Sequence, residues 1–72
     1  NAEAHFNIGL FHAVSGRPAD GVPHWEAALH HNPYFVPAYE QLIDYYGQSA
    51  NPAKRDEYQE QLDVLLQRVV AR

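Results

Sequence analysis

The chain has 72 residues, no cysteine and a formal net charge of −4 at pH 7. That length supports one small domain or a slice of a larger one, with a core thin enough to need neighbours. The missing cysteine excludes a disulfide framework and any thiolate metal or haem site. The acidic balance speaks against nucleic acid as a main partner, and no apolar run approaches the ~20 residues that cross a bilayer. The sequence opens at Asn1 without a methionine and without the charged and apolar stretches of a signal peptide, so it reads as an excerpt or a processed product.

Proline and glycine divide the chain into four helical patterns. The first runs from about Ala2 to Ser15 and stops at Gly16, a residue suited to a left-handed C-cap. The second runs from Ala19 or Gly21 to His31. Because Pro23 does not suit a helix interior, the pattern predicts a late start with Asp20 as N-cap, or a kink near Pro23. Asn32-Pro33 ends it. The third begins near Pro37 and ends near Tyr46, with Gly47 behind it. The fourth takes Asn51 as N-cap and Pro52 as its first position; Asp56 and Glu57 near its start, with Arg68 and Arg72 near its end, complement the helix dipole. No stretch alternates with period two. The predicted class is all-α: two antiparallel helical hairpins, residues 1–35 and 36–72.

The first hairpin carries a repeat pattern. His5, Ile8, Gly9 and His12 on the first helix, then Gly21, Trp25, Ala28 and Pro33, fall in the register W-x2-L-G-x2-Y…A-x3-F…P. The segment Ala2–Phe35 has the matching length, one period of about 34 residues. In this pattern the segment resembles a tetratricopeptide repeat. Small residues at Gly9, Gly21 and Ala28 would let two helices approach closely, with the Trp25 ring filling the space beside them. A second copy starts at Val36: Ala38, Tyr39, Leu42 and Tyr46 stand one period after Ala4, His5, Ile8 and His12. Ile43 replaces Gly9, and in strict register Arg55 and Gln59 would replace Gly21 and Trp25. A short insertion in the loop, from Gly47 to Asn51, would instead bring Tyr58, Leu62 and Leu65 there. The last helix therefore reads as a divergent closing helix of the kind that ends an array. The resemblance implies an α-solenoid arrangement of the two hairpins.

The two first helices differ in their faces. Helix one is apolar nearly all round, with a stripe Phe6, Leu10, Val14 that becomes Glu40, Asp44, Gln48 in helix three. Helices apolar on several sides are buried on several sides, so the N-terminal hairpin expects a neighbour and the C-terminal one does not. Candidate partner-binding positions are Phe6, Asn7, Leu10, Phe11, Val14 and Tyr34. In some arrays of the resembled family an asparagine at the place of Asn7 bonds the backbone of an extended peptide; Gln41 holds that place in the second copy, so no ladder of amides forms. The lysine, asparagine and arginine of carboxylate-clamp members are not matched, since Phe6, Leu10 and Val14 stand there.

Five histidines invite a metal reading. His5 and His12 are seven residues apart, ~10 Å along a helix axis, too far for one ion at Zn–N distances near 2 Å. His24 and His31 repeat that spacing, and no i, i+4 pair exists. His5 and His12 are therefore read as flat rings replacing core aromatics. Ser15 and Ser49 lie in turns without a motif, and the four glycines form no phosphate loop. The predicted function is a protein–protein interaction scaffold without catalysis, cofactor or metal, the C-terminal end of a longer repeat array. Its partners would be another protein segment or neighbouring repeats, not nucleic acid or membrane. Two alternatives stand beside it: a self-assembling subunit forming a homo-oligomer or filament, and a recruiting appendage of an enzyme whose catalytic domain lies elsewhere.

Overall fold

The side chain of Asn1 accepts the backbone N–H of Ala4 at 2.7 Å and so opens helix α1, Ala2–Val14. In the computed structural model, which describes residues 1–70 and side chains through Arg68, three more helices follow: α2 (Pro18–His31), α3 (Val36–Gln48) and α4 (Pro52–Val70). The described residues contain no strand. Each helix packs on the next, and the connections are short, so successive helices run antiparallel. The expectation for Arg72 near the end of the fourth helix falls outside the described residues.

The turn after α1 closes as a Schellman motif. Gly16 takes φ 82°, Arg17 N–H donates to the His12 carbonyl at 2.9 Å, and Gly16 N–H to that of Ala13 at 3.1 Å. The turn after α3 keeps the left-handed residue and the 6→1 bond: Ala50 takes φ 57° and Asn51 N–H donates to the Tyr46 carbonyl at 3.0 Å. Asn51 then caps α4 through Lys54 N–H at 3.3 Å, with Pro52 in the first position. Left-handed backbone costs a non-glycine residue ~1–2 kcal/mol, partly offset by the lower unfolded-state entropy of alanine. Ala50→Gly should therefore stabilise the chain by roughly 0.5–1 kcal/mol, and Gly16→Ala should destabilise it by a similar amount. Paired urea titrations read both, and a lower midpoint for Ala50→Gly would contradict the assignment.

Three expectations need correction. Asp20 does not cap α2: the helix starts at Pro18, behind Arg17, and runs through Pro23 to His31. Pro23 cannot donate to the Ala19 carbonyl. Pro23 and Ala19 are both exposed, so water can take the freed carbonyl and the helix continues. Gly47 lies inside α3 rather than behind it, because Ala50 supplies the left-handed turn. The loop insertion is also absent. The helix starts keep strict register: Val36 opens α3 where Ala2 opens α1, and Pro52 opens α4 where Pro18 opens α2, each exactly one period on.

The core lies between the hairpins. Trp25, Ala28, Ala38 and Leu42 are its centre; Phe6, Leu10, Ala13, Val22 and Leu29 pack around them. Gly9 and Gly21 bring α1 and α2 together. A Cβ at Gly21 would stand 2.7 Å from the Gly9 carbonyl oxygen, and one at Gly9 would stand 2.4 Å from Trp25 Nε1.

Candidate docking face

The six residues predicted to take a partner do not form one surface. Phe6 and Leu10 are half-buried against the chain's own core, Phe6 meeting Phe35 edge-on at 5.4 Å. Phe11 and Val14 are 61 % and 84 % exposed. Asn7 borders a shallow groove with His31, Asn32 and Phe35, while Tyr34 lines a different one with Val64 and Leu65 of α4. The stripe Phe6, Leu10, Val14 is thus split: its first two members serve the seam with α3. Of the residues read as repeat core, Gly9, Gly21, Trp25 and Ala28 are buried, and His5 and His12 are partly buried. Pro33 is exposed and lends its carbonyl to the Tyr39 hydroxyl at 2.8 Å. Ile8 is not core. It is 44 % exposed, because nothing in the described chain covers that side of α1.

Ala4, Ile8 and Phe11 recur at i, i+4 and i+7 and share that side. Their counterparts in the second hairpin are Ala38, Leu42 and Tyr45. Ala38 and Leu42 are fully buried and Tyr45 partly so, at the seam where α3 meets the first hairpin. The face is thus covered in the second hairpin and bare in the first. The opposite end of the molecule has another chemistry. Phe6, Leu10, Val22 and Leu29, which pack around the core that includes Ala38 and Leu42 of α3, are matched in the second hairpin by Glu40, Asp44, Asp56 and Asp63, all exposed.

Beside Ile8 lies a feature that spacing along single helices does not reveal. His24 and His31 of α2 interleave with His5 and His12 of α1. The rings stack in the order His31, His5, His24, His12, with centroid separations of 5.1, 6.3 and 5.4 Å. His5 Nδ1 and His12 Nδ1 are buried without a hydrogen-bond partner. Burial lowers the His5 pKa, helped by His31, the α-amino group of Asn1 and His24. The signal for this was the seven-residue spacing present in both helices, which puts one histidine stripe on each side of the same hairpin. Among the described residues no three histidine, aspartate or glutamate side chains are arranged to hold a metal ion.

The second hairpin carries tyrosine where the first carries three of these histidines. Tyr39, Tyr46 and Tyr58 are the counterparts of His5, His12 and His24, and Leu65 is that of His31. Their rings interleave likewise, Tyr39–Tyr58 at 6.4 Å and Tyr46–Tyr58 at 6.0 Å with planes 7° apart. This ladder faces the first hairpin: the Tyr58 hydroxyl donates to Glu26 Oε2 of α2 at 3.0 Å. Burial, with the Glu26 carboxylate second, raises the Tyr58 pKa.

The geometry defines a four-helix, all-α chain whose two hairpins share one backbone plan and differ in what covers them. Comparison with protein-family models, with curated proteins and with solved structures gave no match.

Proposed function

We infer that the chain is the closing end of a helical-repeat scaffold of tetratricopeptide type, a protein–protein interaction module that presents the Ala4–Ile8–Phe11 side of α1 to another polypeptide. The observation that carries this reading is the contrast between that bare face and its buried counterpart at Ala38, Leu42 and Tyr45. Exposed Ile8 and Phe11 on one helix side, beside partly desolvated rings, make a surface that gains by being covered. The acidic end at Glu40, Asp44, Asp56 and Asp63 supports the polarity, since a hydrated carboxylate face ends a stack of apolar seams. The TPR-like solenoid arrangement belongs to the same proposal and is supported by the constant offset between corresponding helix starts.

A photo-cross-linking residue placed at Ile8 or Phe11 in the intact parent protein should capture polypeptide at least several-fold more efficiently than one at Gln59 or Gln67, which are exposed and polar. Phe11→Glu should abolish capture from position 8 while leaving helicity close to that of wild type, because the ring is 61 % exposed. Equal cross-linking at the polar positions would overturn the reading. Leu10→Glu is the poorer probe, since Leu10 packs on the core and its loss would unsettle the fold itself.

A further inference from the structure

The tyrosine ladder of the second hairpin sits in a seam between hairpins, and the histidine ladder of the first is its counterpart on the bare face. We propose that the histidine ladder is the docking seam for a further helical hairpin, one with an apolar face and a carboxylate opposite His24, and that protonation of the ladder opens this seam. The proposal rests on the reading of that face as a docking surface and adds the partner's chemistry and its control.

The partner's chemistry follows from continuity with the seam already formed. Around the core that Ala38 and Leu42 of α3 share with the first hairpin pack Phe6, Leu10, Ala13, Val22 and Leu29, and the Glu26 carboxylate accepts from Tyr58 of α4. A face of that kind, moved back by one repeat, meets Ala4, Ile8 and Phe11 with apolar side chains and meets His24 with a carboxylate. The chain's own acidic end does not supply it, because Glu40, Asp44, Asp56 and Asp63 replace the apolar residues there.

The control follows from the ring spacing. The ladder places four imidazoles at successive separations of 5.1, 6.3 and 5.4 Å, and His30 stands edge-on to His31 at 6.0 Å. The side chains that act on His5 are His31 and His24, both cationic when charged; the α-amino group of Asn1 also acts on it but becomes an uncharged peptide N–H when a hairpin is joined ahead of it. On α2, the Asp20 carboxylate faces Arg17 at 3.9 Å and Glu26 is taken by Tyr58. On α1, Glu3 is exposed in the first turn. One carboxylate from the partner can balance one imidazolium, not four. A covered seam therefore holds the remaining rings neutral, and docking releases protons. A histidine whose pKa is lowered further by docking contributes its full share above its undocked pKa and loses it as pH falls through its docked one. Tyrosine at the same places carries no charge across this range.

The test uses a tandem chain in which residues 1–34 are duplicated ahead of Asn1, so that the added copy presents Phe6, Leu10, Ala13, Val22, Leu29 and Glu26 to the bare face. The readout is the melting temperature of the tandem minus that of the single chain, at pH 7.5 and at pH 5.5, in EDTA. The expected gain is about 10 °C or more at pH 7.5, falling by at least half at pH 5.5. In a second tandem the original copy's ladder carries His5→Tyr, His12→Tyr, His24→Tyr and His31→Leu, the set that the second hairpin already uses; its gain should be equal at both pH values. A tandem carrying only His24→Tyr serves as a milder version, expected to lose part of the pH dependence. A gain that stays the same at both pH values with the histidines in place would overturn the proton control while leaving the docking face intact. No gain at pH 7.5 from any tandem would overturn the docking face itself.

Discussion

Trp25→Ala should abolish cooperative unfolding of the chain. The ring is 1 % exposed and lies at the centre of the core, with Gly9 and Gly21 against its edge. Truncating a buried tryptophan costs about 3–5 kcal/mol through lost transfer energy and the cavity left behind. A domain of this size holds roughly 0.05–0.15 kcal/mol per residue, or about 4–11 kcal/mol in all, so the substitution removes a large share of the total. The space cannot collapse cheaply, because the glycines that border it have no side chains to move in. Helical circular dichroism followed through a thermal melt reads the effect: wild type should give a single transition, and the variant a broad one at much lower temperature. Gln59→Ala is the internal control, since Gln59 holds the same place in the second hairpin but is exposed; it should change stability by less than about 0.5 kcal/mol. Trp25→Phe should fall between the two, since it keeps most of the apolar ring and removes an indole N–H that is buried without an acceptor. A cooperative Trp25→Ala variant melting within a few degrees of wild type would mean that the hairpins are held by something other than this packing.

The reason why the second hairpin tolerates glutamine at that place also explains what the sequence could and could not disclose. The four helices are legible from backbone punctuation. Ser15-Gly16-Arg17-Pro18 recurs as Ser49-Ala50-Asn51-Pro52, and both segments take a left-handed residue at the second place, close with a 6→1 bond and lead into a proline-led helix. The expectation of an inserted loop weighed side-chain types over this punctuation. Arg55 and Gln59 do not look like Gly21 and Trp25, yet the turn has the same length and the last helix starts in strict register. The seam is made instead by Tyr39, Tyr46, Tyr58 and Leu62. Asp20 does not cap α2 for a different reason: a proline inside a helix is costly when the carbonyl it frees is buried, and here that carbonyl belongs to exposed Ala19. The histidines show the limit of spacing within one helix. Rings seven residues apart on α1 are bridged by rings from α2, and only the distance between the helices, set by Gly9 and Gly21, brings them into one ladder. The bare face was legible as an apolar excess on the first helix, but not its location. Phe6 and Leu10 turn to the core, and Ala4, Ile8 and Phe11 remain outside.

Gly9→Ala tests that helix approach directly. In an ordinary helix interior the change would stabilise by about 1 kcal/mol. Here the new methyl would stand 2.4, 2.7 and 2.9 Å from Nε1, Cδ1 and Cε2 of Trp25, closer than carbon atoms pack, so the indole or the whole of α2 must shift. Overpacking of this kind costs about 1–3 kcal/mol and more where the neighbour is hemmed in. Trp25 is hemmed in by Gly21, Ala28 and Leu42. The net expectation is a loss of ~2 kcal/mol or more, read from urea midpoints at constant slope. Gly21→Ala should cost at least as much, because its methyl would meet the Gly9 carbonyl oxygen at 2.7 Å and backbone yields less than a side chain. Gly47→Ala should act in the opposite direction: it lies in α3, where the new methyl finds only Arg55 Cδ at 3.5 Å, an ordinary contact, and the helix preference of alanine remains. The Gly9→Ala loss should also shrink in a Trp25→Phe background, since the atoms struck belong to the five-membered ring that phenylalanine lacks; the double-mutant cycle then gives a favourable coupling between the two changes. Additive losses would place the cost of Gly9→Ala in the helix backbone and not at the indole. The same close approach holds the imidazoles of α1 and α2 within 5.1–6.3 Å of each other. A Gly9→Ala chain that stays folded should therefore show His5 titrating nearer to the ordinary imidazole value, a change visible by proton NMR of its ring.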